Sequence, residues 1–391
     1  MAEVDLARRG GVEITSRASF RTGERAGREG TLQLIRELAI GSARPLLERV
    51  NVLIVPSLNP DGAEQRRRTN SLNYDMNRDF IVAETPEISA IRDDVLLEWW
   101  PDVYVDVHNG GAYPYNLTYQ ATLHPAADSA LVAFARGPMY NAVKSHLEQQ
   151  DMRFYWYSGP RRDSISGEWS WRTTEPWARK QHTYGGLQNM ITLLYEVPGR
   201  WSLSEQADAA REGLMGLLNF IADNAAAVRS TVTSARQRTL SDPPERVVVS
   251  VEQSAYPEPE QFYVMQDGQP RLVTGTNRTY YVASETRPAP WAYVFDARLD
   301  DLAAFLRRHQ LLSGSVHSLL HAGFAMRGHA AFHPAGREES GPGKSKTGPF
   351  GRWPGGAPRA PAGRAFGRRA PALRVRAGAG HRTRLRARRR A

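Results

Sequence analysis

An α/β fold is predicted by three observations in the amino-acid sequence. Two short apolar runs, Val52 to Val55 and Val103-Tyr104-Val105, are rich in β-branched residues and each ends in a turn signal, which predicts buried parallel strands. Two helical stripes accompany them: Leu32, Leu34, Ile35, Leu38 and Ala39, and later Leu214, Leu217, Leu218, Phe220 and Ile221. Polar chemistry gathers where the strands end, with Asn59-Pro60-Asp61-Gly62 after the first and His108-Asn109-Gly110-Gly111 after the second. The crevice beyond strand C-termini is where open α/β sheets place their sites, so Arg68, Asn77, Arg78 and His108 are expected to converge.

In chain order, residues 27–30 lead into the first helix. Thr85-Pro86-Glu87 opens a second that runs through Trp99, with proline near its first position and an acid in its first turn. Residues 130–149 predict an amphipathic helix. Residues 154–184, rich in Trp, Tyr, Ser and Arg without a clear period, predict a long surface loop over the cleft, while Tyr113, Tyr115 and Tyr119 are as well suited to the core as to the cleft wall. Residues 191–195 form an apolar strand that ends in Glu196, and residues 202–237 a single long helix opened by Ser204 and Glu205. Asp242-Pro243-Pro244 marks a domain boundary. Short β-rich runs up to Phe295 then predict a small β module, closed by a helix over residues 296–309.

The chain of 391 residues, 41% apolar, can bury one large α/β core and a smaller module. It has no cysteine, which excludes disulfides and thiolate metal sites, so any metal must take His and carboxylate ligands. A net charge of +10 invites a nucleic-acid reading. That charge is concentrated in residues 337–391, which hold 16 Lys/Arg against 2 Asp/Glu, and the remainder is mildly acidic. An Arg, Ala, Gly and Pro tail without aliphatic periodicity predicts disorder over residues 311–391. Such a tail reads either as a polybasic arm or as an unstructured extension of the kind that out-of-frame coding sequence gives, and the second is preferred. No specific nucleic-acid partner is expected. No 18-residue apolar run predicts a transmembrane helix, and the opening residues lack the apolar core of a signal peptide. Composition fixes neither compartment nor oligomeric state.

Four ordered motifs carry a resemblance: Asn59-Pro60-Asp61-Gly62, then Arg68-Thr69-Asn70, then Asp75 to Phe80 (DMNRDF), then Asp106-Val107-His108. Together they resemble the zinc carboxypeptidase family, the carboxypeptidase A-like metallopeptidases, over residues 24–310. The resemblance implies a three-layer α/β/α fold with a mixed, twisted sheet. It also implies one zinc ion held by His, Glu and His, and a peptide or protein substrate with a free C-terminal carboxylate. On the matching positions, Glu24 and His108 are metal ligands, Arg68 polarises the scissile carbonyl, Asn77 and Arg78 clamp the terminal carboxylate, and Glu196 is the general base. Asp75 stands behind the first zinc His. The family's substrate-binding Tyr is assigned, as a guess, to Tyr184.

Where the family has that first His, this chain has Arg21. A guanidinium stays protonated and has no lone pair, so Arg21 cannot replace imidazole. An ion pair between Asp75 and Arg21 is expected in its place. Without the resemblance, several of these residues have plainer readings. His108 would be a structural hydrogen-bonding histidine, Glu24 a solvated carboxylate at a helix start, Arg78 half of a buried ion pair, and Arg66-Arg67-Arg68 a solvated loop.

The expected organisation is an unassigned segment 1–20, a carboxypeptidase-like domain 21–240 lacking its N-terminal strands, a β-rich module 241–310 and the tail 311–391. Residues 1–20 show no alternation. The function expected is a zinc-dependent metallocarboxypeptidase hydrolysing C-terminal peptide bonds. The alternative is an inactive relative that at most binds peptide C-termini.

Overall fold

A mixed seven-stranded sheet carries the fold in this computed structural model, which describes residues 12–16, 25–65, 67–290, 296, 298–309 and 373–375. In chain order the strands are β1 (Val12–Ser16), β2 (Val52–Val55), β3 (Val103–Asn109), β4 (Leu117–Ala121), β5 (Phe154–Trp156), β6 (Gly159–Arg162) and β7 (Trp169–Arg172). They continue with β8 (Ile191–Val197), β9 (Arg246–Ser254), β10 (Glu260–Gln266), β11 (Gln269–Arg278), β12 (Tyr280–Pro288) and β13 (Leu373–Val375). The helices are α1 (Ala26–Ile40), α2 (Pro60–Gln65), α3 (Pro86–Ala90), α4 (Ser129–Phe134), α5 (Tyr140–Glu148), α6 (Gln181–Leu187), α7 (Leu203–Asp223), α8 (Ala225–Ser241) and α9 (Asp300–Arg308).

The large sheet runs β13-β2-β1-β3-β8-β4-β5. Strands β2, β1, β3 and β8 are parallel, β4 is antiparallel to β8, and β5 is parallel to β4. The two expected strands are therefore present and parallel, but they are not neighbours. β1 lies between them, pairing Val12 with both Val52 and Val103. Its sequence, VEITS, alternates and is largely β-branched, so the reading of residues 1–20 as patternless is corrected here. Five residues are too few to stand out by period alone.

Period-two alternation sorts the sheet residues between two layers. On β3 and β8, Val103, Val105, Val107, Ile191, Leu193, Tyr195 and Val197 join the core cluster that includes Leu34 and Leu38 of α1, Val143 and Leu147 of α5, and Leu214, Leu217 and Leu218 of α7. Tyr104 faces the other way, into a second cluster with Phe80, Ile88, Ile91, Tyr184 and Met190. Helices thus cover both faces. α1 and α7 approach closely at Gly30, where a Cβ would come within 2.7 Å of the Ala207 carbonyl oxygen.

Elsewhere the sequence expectations are refined. The helix from Thr85 begins with the Thr85 side chain accepting from Ile88 N–H, then widens into an i→i+5 turn over Ile91–Leu97. A similar widened turn, around Pro138, joins α4 to α5. The long helix after Ser202 is two helices. It opens with a capping box between Ser202 and Glu205, and it breaks at Asn224, whose backbone leaves helical geometry while its amide donates to the Phe220 carbonyl at 2.8 Å.

The expected surface loop over residues 154–184 instead carries regular structure along its length: β5, β6, β7 and the start of α6. Its aromatic richness serves packing: Trp171 is fully buried, with ring centroids 4.8 Å from Tyr155 and 5.2 Å from Phe262. A second sheet, β10-β11-β7-β6, forms across the boundary expected at residue 242, and β9 pairs with β12 in a ribbon. The Tyr155 hydroxyl donates to Glu260 at 2.6 Å and the Tyr115 hydroxyl accepts from Tyr263 N–H at 2.7 Å, tying β10 to the core. The chain divides into two units, residues 1–291 with 368–391, and residues 292–367; α9 is the described helix of the second. The expected Tyr-Val-Phe strand at residues 293–295, and most of the tail, lie outside the described residues. Among the described residues no helix is long and apolar enough to cross a membrane.

Candidate active site

The parallel pairing of β3 with β8 sets His108 directly opposite Glu196. Both occupy the sheet face opposite Val107 and Val197, near the C-terminal ends of their strands, as does Asp106. His108 Nε2 lies 2.8 Å from Asp106 Oδ2, and that carboxylate is fully buried. The contact fixes the orientation of the ring. Glu196 is only 7% exposed, and burial pushes its carboxyl up to about 7, while His108, a Tyr157 hydrogen bond and Arg68 pull it back and Asp106 adds to the rise. Its Oε2 has no hydrogen-bond partner among the described residues.

The two glycines after His108-Asn109 have a steric reason. A Cβ on Gly110 would stand 2.6 Å from Glu196 Oε2, and one on Gly111 would overlap the Glu196 carbonyl oxygen. Asn109 is a positioning residue that motif reading missed. Its Oδ1 accepts from Ala26 N–H at 3.0 Å, and its Nδ2 donates to Gln206 at 2.7 Å and to the Val197 carbonyl at 3.2 Å. One amide thereby joins the start of α1, the end of β8 and α7. Arg21 and Glu24, just before α1, lie outside the described residues, so the expected Asp75–Arg21 ion pair does too.

After β2, the fully buried Asn59 organises the next turn. Its Oδ1 accepts from Gly62 N–H at 2.9 Å, capping α2, and its Nδ2 donates to the Arg68 carbonyl at 3.0 Å. The Arg68 guanidinium donates to Asp75 through Nε at 2.7 Å and Nη2 at 2.5 Å. Asp75 Oδ1 also accepts from Asn77 N–H, which begins a single turn over Met76–Arg78. Asn77 Oδ1 accepts from Gln181 N–H at 3.1 Å, joining this turn to the start of α6. The Arg78 guanidinium donates to the Asn77 carbonyl at 2.8 Å and lies 5.9 Å from the Trp177 ring. Arg68, Asn77, Arg78, His108 and Glu196 therefore come from three regions of sequence, and Arg68 is close enough to Glu196 for its charge to be felt there.

Lys180, beside Gln181, is a further residue without a sequence signal. It is 6% exposed; its ammonium donates to the Glu175 carbonyl at 2.6 Å and Thr174 Oγ1 at 3.1 Å, and sits 5.0 Å from the Trp177 ring. Burial, and then the nearby Arg78 charge, pull its pKa down to about 8. Tyr184, the guess for the substrate-binding tyrosine, is placed on α6 inside the second core cluster, its ring 5.7 Å from Phe80 and 3% exposed. Tyr157 is a tyrosine that hydrogen-bonds Glu196.

Residues 4–179 match the zinc carboxypeptidase family model. The match begins ahead of residue 24, where the motif resemblance starts, and so takes in β1. Among curated relatives, "Probable carboxypeptidase 2" of Trichophyton verrucosum is 28% identical over 124 residues, covering 31% of this chain and 22% of the relative. Carboxypeptidase SOL1 of Arabidopsis thaliana is 33% identical over 93 residues, covering 20% of this chain and 18% of the relative. The chain thus spans about a fifth of the length of these relatives. A solved metallo-carboxypeptidase from Pseudomonas aeruginosa aligns with a TM-score of 0.44 at 18% identity, over 56% of this chain and 59% of that one.

The zinc carboxypeptidase match implies zinc, and the donors of this chain can be tested against it. His108 has the arrangement of a metal-ligating imidazole, with a buried carboxylate on its Nε2, and Glu196 Oε2 is an orphaned oxygen on the same sheet face. Asp75, however, is held by Arg68, and Arg21 has no lone pair. Among the described residues no three His, Asp or Glu side chains gather as a metal site. The described donors do not fit the three-ligand set of a catalytic zinc.

Proposed function

We propose that this chain recognises peptides by their free C-terminal carboxylate and hydrolyses the terminal peptide bond, as a member of the metallocarboxypeptidase class. The observation that supports the reading is the pairing of His108 with Glu196 on β3 and β8, with the charge of Arg68 acting on Glu196 and the Asp75 that holds Arg68 also beginning the Asn77-Arg78 turn. Arg78 supplies a planar cationic fork suited to a carboxylate. Arg68, oriented by Asp75, supplies positive charge for the carbonyl oxygen of the bond to be broken. Glu196 takes a proton from the attacking water and delivers it to the leaving amine. Asp106 orients the His108 ring.

A second reading is favoured by one residue, Arg21 at the position where the family carries its first zinc His. With that ligand changed, the same clamp binds peptide termini without turnover. Zinc content and hydrolysis separate the two. Purified protein and the Arg21→His variant are assayed for bound zinc and for release of the last residue from an N-acylated peptide, with its C-terminal amide as control. Stoichiometric zinc and acid-specific release by the unaltered chain support the peptidase. Zinc and turnover only in the variant support the binder, and absence of both metal and peptide binding from both proteins overturns the whole reading.

A further inference from the structure

A groove of about 410 Å³ opens to solvent where three parts of the larger unit meet. Its walls are His124 after β4, then Pro176, Trp177 and Arg179 ahead of α6, and Val249 and Val251 on β9. None of the candidate active-site residues lines it.

The polar side chains of this wall are all donors. The Arg179 guanidinium lies over the Trp177 indole, 4.4 Å from the ring centre, and has no carboxylate partner among the described residues. The indole N–H of Trp177 has no acceptor among them either. His124 Nδ1 accepts from Ala126 N–H at 3.1 Å, which puts the ring proton on Nε2, and burial holds the imidazole below its usual pKa and so favours that neutral form. No Asp or Glu lines the groove; Glu175, one residue ahead of Pro176, is exposed and outside it.

The rest of the lining is apolar and within reach of water. Trp177 is 43% exposed and Val249 45%. A purely apolar ligand would cover these surfaces but leave the donors without acceptors, and a small inorganic anion would do the reverse. A molecule with a carboxylate at one end and an apolar body behind it matches both. The indole beneath Arg179 limits the freedom of the guanidinium, which lowers the cost of ordering its planar fork on a carboxylate.

We propose that this groove is a binding site for a small free carboxylic acid with an aryl or alkyl body, its carboxylate on Arg179 and its body against Trp177, Val249 and Val251. The volume is that of a small-molecule pocket. The site is separate from the peptide-terminus clamp and does not depend on that reading.

The test follows the Trp177 indole N–H resonance of the full-length chain at neutral pH, assigned by its loss in Trp177→Phe, during titration with 4-phenylbutyrate or its neutral amide. The acid is expected to shift that resonance saturably with a Kd of about 1 mM or below. It is expected to bind about 5-fold more tightly than the amide, the most that one exposed ion pair supports. Arg179→Met is expected to bring the ratio to about 1, while Arg179→Lys, which keeps the charge, retains it. Val249→Asp, at an exposed position, is expected to weaken the acid about 10-fold by setting a like charge in the groove. The other indole resonances show whether each variant is folded. Arg78 lies 5.9 Å from the same ring, so Arg78→Ala separates groove from clamp, and an unchanged Kd is expected. No saturable shift up to about 10 mM acid, equal affinity for acid and amide, or a titration lost in Arg78→Ala but kept in Arg179→Met, overturns the proposal. Tighter titration by acetyl-Ala-Glu-Leu-Ala-amide than by the phenyl acid assigns the groove to peptide chains and overturns it as well.

Discussion

Lys180 gives a stability prediction whose size follows from its surroundings. Its pKa falls from 10.5 to about 8 in the folded chain, chiefly through burial. Between those two values the unfolded chain binds more protons than the folded one, so stability must rise with pH across that window. The burden of the buried charge is fully present below pH 8 and gone above 10.5. At about 1.4 kcal/mol per pH unit, the whole effect is about 3 kcal/mol, of which about 2.5 kcal/mol is relieved between pH 7 and pH 10.

Buried tyrosines such as Tyr195, raised by desolvation, titrate at still higher pH and act in the opposite sense, so the comparison is made against Lys180→Met, which keeps those groups. Urea unfolding of both proteins at about pH 7, 8, 9 and 10 yields the difference in unfolding free energy at each pH. The expected outcome is that the unaltered chain gains about 2.5 kcal/mol on the variant across the series. A difference that stays flat, within about 0.5 kcal/mol, would refute the placement of Lys180 as a buried cation beside Arg78.

Three further outcomes are expected. Arg78→Ala should weaken binding of peptides with free C-termini by about 100-fold and leave their C-terminal amides unaffected, read as Kd by titration. Gly30→Ala should destabilise the chain by about 1–3 kcal/mol in urea unfolding, because its Cβ meets Ala207 O and Ala210 Cβ at 2.7 Å across the α1–α7 contact. Trp171→Ala should destabilise by about 3–5 kcal/mol, since a fully buried indole touching Tyr115, Tyr155 and Phe262 leaves a cavity that the two sheets cannot close.

The parts of the site that could be read in the sequence are those tied to regular local patterns. His108 and Glu196 each follow a β-branched apolar run, so their burial at strand ends was visible without coordinates. Asn59 and the pair Gly110-Gly111 stand in turn motifs whose chemistry is local. Lys180 could not be read. It sits in an aperiodic stretch, and its meaning depends on Arg78, about a hundred residues earlier, reached through the Asn77 to Gln181 bond. The aromatic run 154–184 misled for the same reason, because β6 and β7 find their partners in β10 and β11 far along the chain. The placement of Tyr184, which α6 turns toward Phe80, is a direction that composition does not encode.

The four-stranded sheet has a bearing on how this chain can be dissected. The Pro-Pro after Asp242 invites a cut there, but it would strip β10 and β11 from β7 and leave Tyr115, Tyr155 and Trp171 facing water. A shortened version would gain a raw strand edge and an oily aromatic face at once, the combination that drives chains to stick to one another. The candidate site's residues all precede the cut, yet a usable minimal fragment has to extend through β11, so those later strands belong to the same body as a fitted wall rather than as an attached accessory.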